Sequence, residues 1–350
     1  MSRTRTFTFL ALGAVVLLSA IALLFWQLSR PPAIARLLPE ADAILFADLR
    51  PIRLATHLDH EIPPRSPDYQ HFVDSTGIVP ERDLDQAAFA LTRRPDPTGV
   101  NGPVAYTELF AGRFDTTRLE RYLATLTATT ETYAGHTIFI LHMMESAPAA
   151  AAPPPSGATA APRGPDAGRD LRLSVVRPGL LAVSNTPTPE QIHAILDHSR
   201  SGSVLSSAPS LLSERFPDVP RLSTIWAVGR LGLPFAEDGR LSLLGLTLPI
   251  PADQSFVLSL RYVGVLRLRI EALTASPEAA LEEAGALTSI AGIARSLSTA
   301  QPGTQLSPEL TAALNSLQIQ PHGSRAVLTA SLPVALARQL TGTAISPNSH

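Results

Sequence analysis

Short runs in which apolar and polar residues alternate recur along most of the chain. Such runs are typical of β-strands that bury one face, and turn-forming Gly, Pro, Asn and Asp residues separate them. The pattern predicts strands in AILFADL (43–49), QAAFALT (86–92), AYTELFAGRF (105–114), TIFILHMM (137–144), LRLSVV (171–176), LLAVS (180–184), TIWAVGRL (224–231), SFVLSLRYV (255–263) and VLRLRIEAL (265–273), and a closing hairpin in LQIQPHGSRAVLTAS (317–331).

Helix starts share a signature in which a hydroxyl residue at the N-cap precedes a proline and a glutamate in the first turn. The helix dipole favours a carboxylate there, and apolar residues at helical spacing follow each start. Asp115 predicts a further N-cap, and Gly77 predicts a C-cap after YQHFVDST. The signature predicts helices from Thr188-Pro189-Glu190, Ser276-Pro277-Glu278 and Ser307-Pro308-Glu309, and a last helix is expected over Val334 to Leu340.

The order strand, strand, helix, hairpin, helix occurs in residues 33–205 and again in residues 206–342. Strands joined by short turns pair antiparallel, and helices that follow pairs of strands tend to cover one face of the sheet. The sequence therefore predicts an α+β fold with two antiparallel-sheet modules that carry helices on one face. The recurring order suggests the hypothesis of an internal repeat by duplication. Residues 343–350 are expected to form a flexible tail.

The segment Phe7 to Leu28 has no charged side chain and is long enough to cross a bilayer as a helix. Trp26 lies where an interfacial aromatic residue would anchor its far end. A cleaved signal peptide is the alternative, because Ala20-Ile21-Ala22 fits an A-x-A cleavage site. The apolar run is longer than a usual signal peptide core, so we expect an uncleaved transmembrane anchor behind a short tail of residues 1–6.

Positive charges on the two sides of this segment are nearly balanced, with Arg3 and Arg5 before it and Arg30 and Arg36 after it. A short tail on one side and the whole body on the other favours a single-pass protein of the bacterial cytoplasmic membrane. Its body would then face the periplasm or the exterior. From residue 31 onward 25 arginines stand against 30 acidic residues, which does not indicate a nucleic-acid partner.

The segment Ala147 to Arg169 reads APAAAAPPPSGATAAPRGPDAGR and contains no aromatic or large aliphatic residue. Such a composition cannot bury enough apolar surface to offset the loss of conformational entropy. Because strand-like segments flank it on both sides, we predict a disordered Ala/Pro-rich loop inside the first module rather than a linker between domains.

All 28 basic residues are arginine, and the chain contains no lysine and no cysteine. The lack of lysine excludes Schiff-base, Walker A and Ser-x-x-Lys chemistry. The lack of cysteine excludes thiolate nucleophiles, disulfides and cysteine-based zinc sites. The motifs G-x-G-x-x-G and G-x-S-x-G are also absent, so we expect no cofactor and assign no catalytic residue.

His57, His60 and Glu61 are the sharpest metal-binding candidates, because positions i, i+3 and i+4 lie on one side of a helix. The same stretch carries an apolar stripe of Leu54, Leu58 and Ile62, which would face the core and leave the imidazoles in solvent. We therefore expect no metal at this weak site.

Two acidic motifs are weaker candidates. Asp83 and Asp85 resemble a D-x-D element, but they follow a proline and precede a strand, as a short helical turn would. Asp197 and His198 would need a serine nucleophile to form a triad, and their position at a helix end favours a histidine for electrostatic reasons alone.

The stretch LSLLGLTLPIP (241–251) is the most apolar part of the body and is too short to span a bilayer as a helix. It is either a buried strand or a surface that contacts a membrane or a partner. Its composition favours the buried strand.

Three segments, LLPEADAILFADLRPIR (37–53), TGIVPERDLDQAAFAL (76–91) and AGRFDTTRLERYL (111–123), resemble a family of uncharacterised, single-anchor bacterial envelope proteins of unassigned function. The resemblance covers most of the body after residue 37. It implies an envelope location and a fold, and it supplies no catalytic residue.

These observations favour a membrane-anchored, non-catalytic binding or structural module whose partner is a protein, a lipid or a cell-wall component. The alternative is an envelope hydrolase or metal-dependent enzyme that uses His57, His60 and Glu61. The first hypothesis is preferred because no catalytic constellation in the chain is specific.

Overall fold

The computed structural model describes residues 30–56, 66–93, 104–127, 129–143, 169–201, 208–230, 240–243, 246–249, 254–300 and 308–333. The expected anchor, both terminal tails and the expected last helix lie outside these residues. Most of the Ala/Pro-rich segment also lies outside them, and its final residue, Arg169, begins a strand. Within the described ranges, no helix has the length and apolar character needed to cross a membrane.

The described chain consists of helices and antiparallel strands, which confirms the predicted α+β class. The strands are β1 (Ala43–Asp48), β2 (Leu84–Arg93), β3 (Val104–Gly112), β4 (Thr129–Tyr133), β5 (His136–Met143), β6 (Arg169–Arg177), β7 (Leu180–Ser184), β8 (Ile225–Arg230), β9 (Arg240–Leu243), β10 (Leu246–Pro249), β11 (Ser255–Tyr262), β12 (Leu266–Leu273), β13 (Gln318–Pro321) and β14 (Arg325–Leu332). The helices are α1 (Leu49–Thr56), α2 (Pro67–Thr76), α3 (Pro80–Asp83), α4 (Thr116–Leu126), α5 (Glu190–Ser201), α6 (Ser210–Arg215), α7 (Pro277–Ala300) and α8 (Pro308–Asn315).

The predicted caps at Asp115, Gly77 and Ser276 are confirmed. Ser307 lies outside the described residues, and the cap at Thr188 stays a prediction. The Asp115 carboxylate accepts hydrogen bonds from the backbone N–H groups of Thr117 at 2.9 Å and Arg118 at 3.1 Å. Gly77 ends α2 in the left-handed region with φ of 74°, which glycine adopts without steric cost. Helices α7 and α8 begin at the prolines of their predicted signatures, and α5 begins one residue later than its proline.

Twelve strands form one sheet, in the order β13-β14-β12-β11-β8-β1-β2-β3-β7-β6-β5-β4. The two modules therefore do not have separate sheets, because β1 pairs with β2 on one side and with β8 on the other. On each side of this junction the connectivity is the same, with β1-β2-β3-β7-β6 matching β8-β11-β12-β14-β13.

Small residues allow a close approach at the β1–β8 junction. Gly229 lies opposite Ala43, and a Cβ atom on Gly229 would come within 2.5 Å of the Ala43 Cβ. Further along the same pair, the Trp226 ring stacks on Phe46 with a centroid distance of 5.5 Å and meets the edge of Phe216 at 5.3 Å. The junction is thus a packed part of the core.

Helices cover both faces of the first half of the sheet, so the expectation of helices on one face is wrong there. We call face A the side that carries Leu109 and Ala182, and face B the side that carries Phe110 and Val183. Helix α5 packs on face A, and α4 packs on face B. The reason is that strands such as LLAVS (180–184) are apolar at successive positions, so both sides need cover.

In the second half, α7 packs on face B through contacts of Ala284 with Ala272 and Ala326. The apolar stretch 241–251 differs from its prediction as a single buried strand. Its described residues form a two-stranded hairpin of β9 and β10, apart from the large sheet. Two four-residue arms separated by two residues favour such a hairpin.

Candidate functional site

A cavity of about 270 Å³ lies between α4 and face B of the first half. Helix α2, the turn that follows it, and strands β2, β3, β6 and β7 complete its wall. The described residues that line it are all apolar: Phe72, Ile78, Pro80, Leu84, Phe110, Phe114, Leu119, Leu123, Leu173 and Leu181.

The turn after α2 is built to place Ile78 in the cavity wall. Thr76 donates its hydroxyl proton to the carbonyl oxygen of Phe72 at 2.8 Å and accepts a hydrogen bond from the Ile78 N–H at 3.1 Å. Gly77 supplies the positive φ that reverses the chain between them. The local sequence thus fixes one wall of the cavity through backbone contacts.

Asp83 and Asp85, the D-x-D candidates, flank Leu84 of the cavity wall and form structural contacts. Asp83 accepts the N–H of Val79 at 2.8 Å and pairs with Arg82 at 2.8 Å. Burial acts to raise the pKa of Asp83, but the hydrogen bonds from Arg82 and Val79 outweigh it and hold that pKa below its usual range. Asp85 pairs with Arg53 at 3.1 Å. Both groups are engaged by partners of the fold, as the short-turn interpretation predicts.

Helix α4 closes the cavity with Leu119 and Leu123, which are almost completely buried. Few polar contacts hold α4 against α2. Arg118 Nη2 donates to the carbonyl oxygens of Asp74 at 3.4 Å and Ser75 at 3.3 Å. The rings of Phe72 and Tyr122 meet edge to face at 5.8 Å. Polar contacts between α2 and α4 are therefore few and long.

An apolar wall of this kind does not hold water well, because a buried water molecule needs two to four polar partners. Apolar cavities tend instead to stay dry and to take up apolar molecules. An apolar ligand that covers this wall would remove apolar surface from water and so stabilise the folded chain. The arrangement can bind and shield apolar matter.

Glu108 is an ionisable residue on face B that the sequence analysis did not single out. It lies two positions from Phe110, and its cross-strand neighbours are Phe89 and Val183. Burial raises the pKa of Glu108 to about 7. No residue in the described ranges forms a hydrogen bond or ion pair with its carboxylate. The signal was present in the sequence, because alternation in AYTELFAG places this glutamate between Tyr106 and Phe110 on one side of the strand.

The metal candidates His57, His60 and Glu61 lie outside the described residues. The apolar stripe Leu54, Leu58 and Ile62 was expected to face the core, and this is wrong at its first position, because Leu54 is 78% exposed. Its neighbour Arg53 turns towards the sheet instead, and its Nε donates to the carbonyl oxygen of Glu81 at 2.8 Å. The long arginine side chain with several donors reaches backbone acceptors that a leucine cannot use.

Two of the described histidines pair with carboxylates of neighbouring elements. His142 pairs with Asp170 at 2.7 Å, and His193 pairs with Glu131 at the same distance. Of the weak triad candidates, His198 contacts the carbonyl oxygen of Leu37, and Asp197 accepts a hydrogen bond from the Tyr133 hydroxyl at 2.9 Å. Across the ranges that the structure covers, no three His, Cys, Asp or Glu side chains are grouped to hold a metal ion.

Family models and curated proteins yield no match to this chain. Among solved structures, crystal form I of TP0453 aligns with a TM-score of 0.40 at 10% identity, over 91% of this chain and 99% of that one. Crystal form III of TP0453 aligns with a TM-score of 0.43 at 12% identity, over 90% and 99% of the two chains. A likeness at these values supports no statement about what this chain does.

Proposed function

We propose that the protein is a non-catalytic binding module and that it holds an apolar chain, such as the acyl group of a lipid, in the cavity between α4 and face B. The observation that carries the proposal is that all ten described residues of the cavity wall are apolar. A wall without titratable or nucleophilic groups favours binding over chemistry.

The size of the cavity supports a chain-like ligand. An engineered apolar cavity of about 150 Å³ holds a benzene molecule. The cavity here has a volume of about 270 Å³, which suits a longer and flexible apolar group. Burial of such a group removes roughly 0.8 kcal/mol of unfavourable hydration for each CH₂.

The proposal is tested by native mass spectrometry of the full-length chain in a non-ionic detergent with added palmitate. We expect a one-to-one adduct with the wild-type chain. In Leu123→Trp the larger side chain fills the cavity, so the adduct should be reduced at least tenfold. Leu126→Trp is the matched control, because Leu126 lies one turn along α4 and is 48% exposed.

Absence of an adduct with the wild-type chain would contradict the proposal. An adduct of equal abundance in Leu123→Trp and in the wild-type chain would also contradict it, since the ligand would then lie elsewhere. The melting temperature of ligand-free Leu123→Trp, measured by circular dichroism, shows whether the variant is folded.

The proposal includes the location. We place the body outside the bacterial cytoplasmic membrane, tethered by an uncleaved Phe7–Leu28 segment, as in the envelope family that the sequence resembles. Full-length protein should stay in the membrane pellet after an alkaline carbonate wash. Recovery of a soluble chain that begins near Leu23 would show instead that the segment is a cleaved signal peptide.

The shared strand order of the two halves supports the duplication hypothesis, and we propose that one ancestral sheet unit gave rise to both. The alternative of a metal-dependent enzyme stays a prediction, because its residues His57, His60 and Glu61 lie outside the described ranges. No described contact favours it.

A further inference from the structure

A second site lies on face A of the other half, in a cleft of about 430 Å³ over strands β11, β12 and β14. Its rim comes from the turn between Pro220 and Ser223 and from Ser316. In contrast to the apolar cavity, most of its lining is polar. The polar lining residues are Ser223, Ser259, Arg261, Arg267, Arg269, Ser316, Gln318, Thr329 and Ser331.

The floor of the cleft consists of two polar rows that run across the strands. In the first row Ser259 lies opposite Arg269, Arg269 opposite Thr329, and Thr329 opposite Gln318. In the second row Arg261 lies opposite Arg267, and Arg267 opposite Ser331. Strand pairing thus fixes three guanidinium groups and several hydroxyl groups on one surface.

Arg261 and Arg267 are directly opposed like charges, which destabilise an antiparallel pair. Within the described part of the chain, neither guanidinium forms an ion pair or a hydrogen bond. Arg261 is half-buried and Arg267 is exposed. The fold therefore keeps two cations together at the cleft without a carboxylate from the described residues to balance them.

The neighbouring arginines, in contrast, form ion pairs with acidic side chains. Arg269 donates through Nε to Glu271 at 2.6 Å. Arg325 bridges Glu271 at 2.8 Å and Asp218 at 2.7 Å. Glu271 is only 4% exposed and is shared by both arginines, so it has no capacity to neutralise the second row. The two Nη groups of Arg269 make no further contact with described residues.

We propose that this cleft binds a phosphate group. A guanidinium presents a planar fork of N–H donors that matches phosphate oxygens, and it remains charged at every physiological pH. The oxygens of one tetrahedral oxyanion can accept hydrogen bonds from the guanidinium groups of Arg261 and Arg267 and from the Nη groups of Arg269. Further donors are the hydroxyl groups of Ser259, Thr329 and Ser331. A phosphate there relieves the Arg261–Arg267 repulsion, which favours its binding.

The phosphate comes either from a soluble phosphate compound or from the headgroup of an anionic lipid. The cleft lies on face A of the second half, whereas the apolar cavity lies on face B of the first half. A single lipid therefore does not place its chain in the cavity and its headgroup in the cleft. The two sites bind separate ligands, and each can be removed without the other.

The test uses the full-length protein in a non-ionic detergent and isothermal titration calorimetry. One arm titrates inorganic phosphate and pyrophosphate, and the other titrates the short-chain lipid dihexanoyl phosphatidylglycerol below its micelle concentration. The variants are Arg267→Gln and the double change Arg261→Gln with Arg267→Gln. The matched control is Arg121→Gln with Arg177→Gln, which removes the same charge from exposed positions outside the cleft.

We expect binding in at least one arm, with a dissociation constant that rises tenfold or more in the double variant and less than twofold in the control. Binding of pyrophosphate identifies a soluble phosphate ligand, and binding of the short-chain lipid alone identifies a headgroup. Absence of binding in both arms overturns the proposal, and so does an equal loss in the control. Because Arg267 is exposed, its single variant should fold, and it should bind more weakly than wild type.

Discussion

The two halves of the sheet share one strand order but distribute apolar and polar residues in different ways. On face A of the first half, Leu109 and Ala182 are buried under α5. The matching strands of the second half place Arg269 and Thr329 on that face, and they line an open cleft. On face B the first half has large side chains around a cavity, whereas the second half packs α7 through alanines.

This difference shows that strand order does not determine where a sheet forms a ligand-binding site. Alanines such as Ala272 and Ala326 are small, and they pack directly against Ala284 of α7. Rings and branched side chains such as Phe110 and Leu181 leave the apolar space beneath α4. Two sites of opposite chemistry can therefore form on one repeated architecture through side-chain choice alone.

The largest expected effect comes from breaking the junction that the two halves share. Trp226→Ala should lower the free energy of unfolding by about 3–5 kcal/mol, because the ring is 2% exposed and packs on Phe46 and Phe216. Urea unfolding followed by circular dichroism measures the change. Leu222→Ala is the control, with an expected effect below about 0.5 kcal/mol, since Leu222 is 66% exposed.

Since Trp226 packs with residues of both halves, both should unfold in a single transition in the wild-type chain. Two separate urea transitions would contradict this reading. The halves would then behave as independent units in spite of the shared sheet.

The next effect is a pH dependence of the free energy of unfolding that comes from Glu108 on face B of the first half. Burial raises the folded-state pKa of Glu108 from 4.5 to about 7, so the folded chain binds more protons than the unfolded chain between these values. The stability linked to protonated Glu108 is present below pH 4.5 and is lost as the pH rises through 7.

Glu108→Gln should therefore raise the free energy of unfolding at pH 8 by about 1–2 kcal/mol, a value reduced for the partial exposure of the group. The gain should shrink towards pH 5. Urea unfolding at both pH values measures this gain. Glu214→Gln, at an exposed position of α6, serves as the control. A gain of equal size at the two pH values would show that the carboxylate is not responsible.

A smaller effect compares the caps of the two face B helices. Asp115 accepts two backbone hydrogen bonds at the start of α4, whereas Ser276 accepts one, from Ala279 at 3.2 Å, at the start of α7. Asp115→Ala should cost about 1–2 kcal/mol and Ser276→Ala about 0.5–1 kcal/mol, measured by urea unfolding. Asp115→Asn keeps an acceptor and should restore most of the loss. A larger loss in Ser276→Ala would reverse the order of the two caps.

The smallest effect concerns the connection between β5 and β6, which the second half does not share. Met143 and Arg169 are cross-strand partners, so a short turn can join the two strands. Replacement of residues 147–168 by a short Gly/Ser turn should change the melting temperature little, because loop entropy varies slowly with length. Loss of cooperative melting in the calorimeter would show that the segment packs against the body.

Local patterns predicted most of the strands and several helix caps, because both depend on residues close in sequence. Asp115 and Gly77 could be assigned from their neighbours alone. The union of the two modules could not, since it depends on the pairing of Ala43 with Gly229, which are far apart in sequence. Helices on both faces had a signal in the continuous apolar strand LLAVS, which the expectation of one covered face overlooked.

The candidate sites were harder to predict from the sequence than the fold. A cavity is the volume that side chains such as Leu123 and Leu181 fail to fill, and no local pattern records it. The cleft depends on Arg261 and Arg267 facing each other across a strand pair. In the sequence, the alternation of these arginines with apolar residues indicated only that each of the two strands has one polar side. The exposure of Leu54 likewise follows from the preference of Arg53 for backbone acceptors of another element.

The position of β1 at the centre of the sheet has a consequence for synthesis at the ribosome. Its partner β8 lies about 180 residues later in the chain, so β1 has an unpaired edge while those residues are made. At about 5–20 residues per second, that edge is available for roughly 10–40 s. An unpaired strand edge is a template for aggregation, and contacts of such long sequence separation form slowly. The nascent chain is therefore prone to aggregate through this edge until β8 emerges.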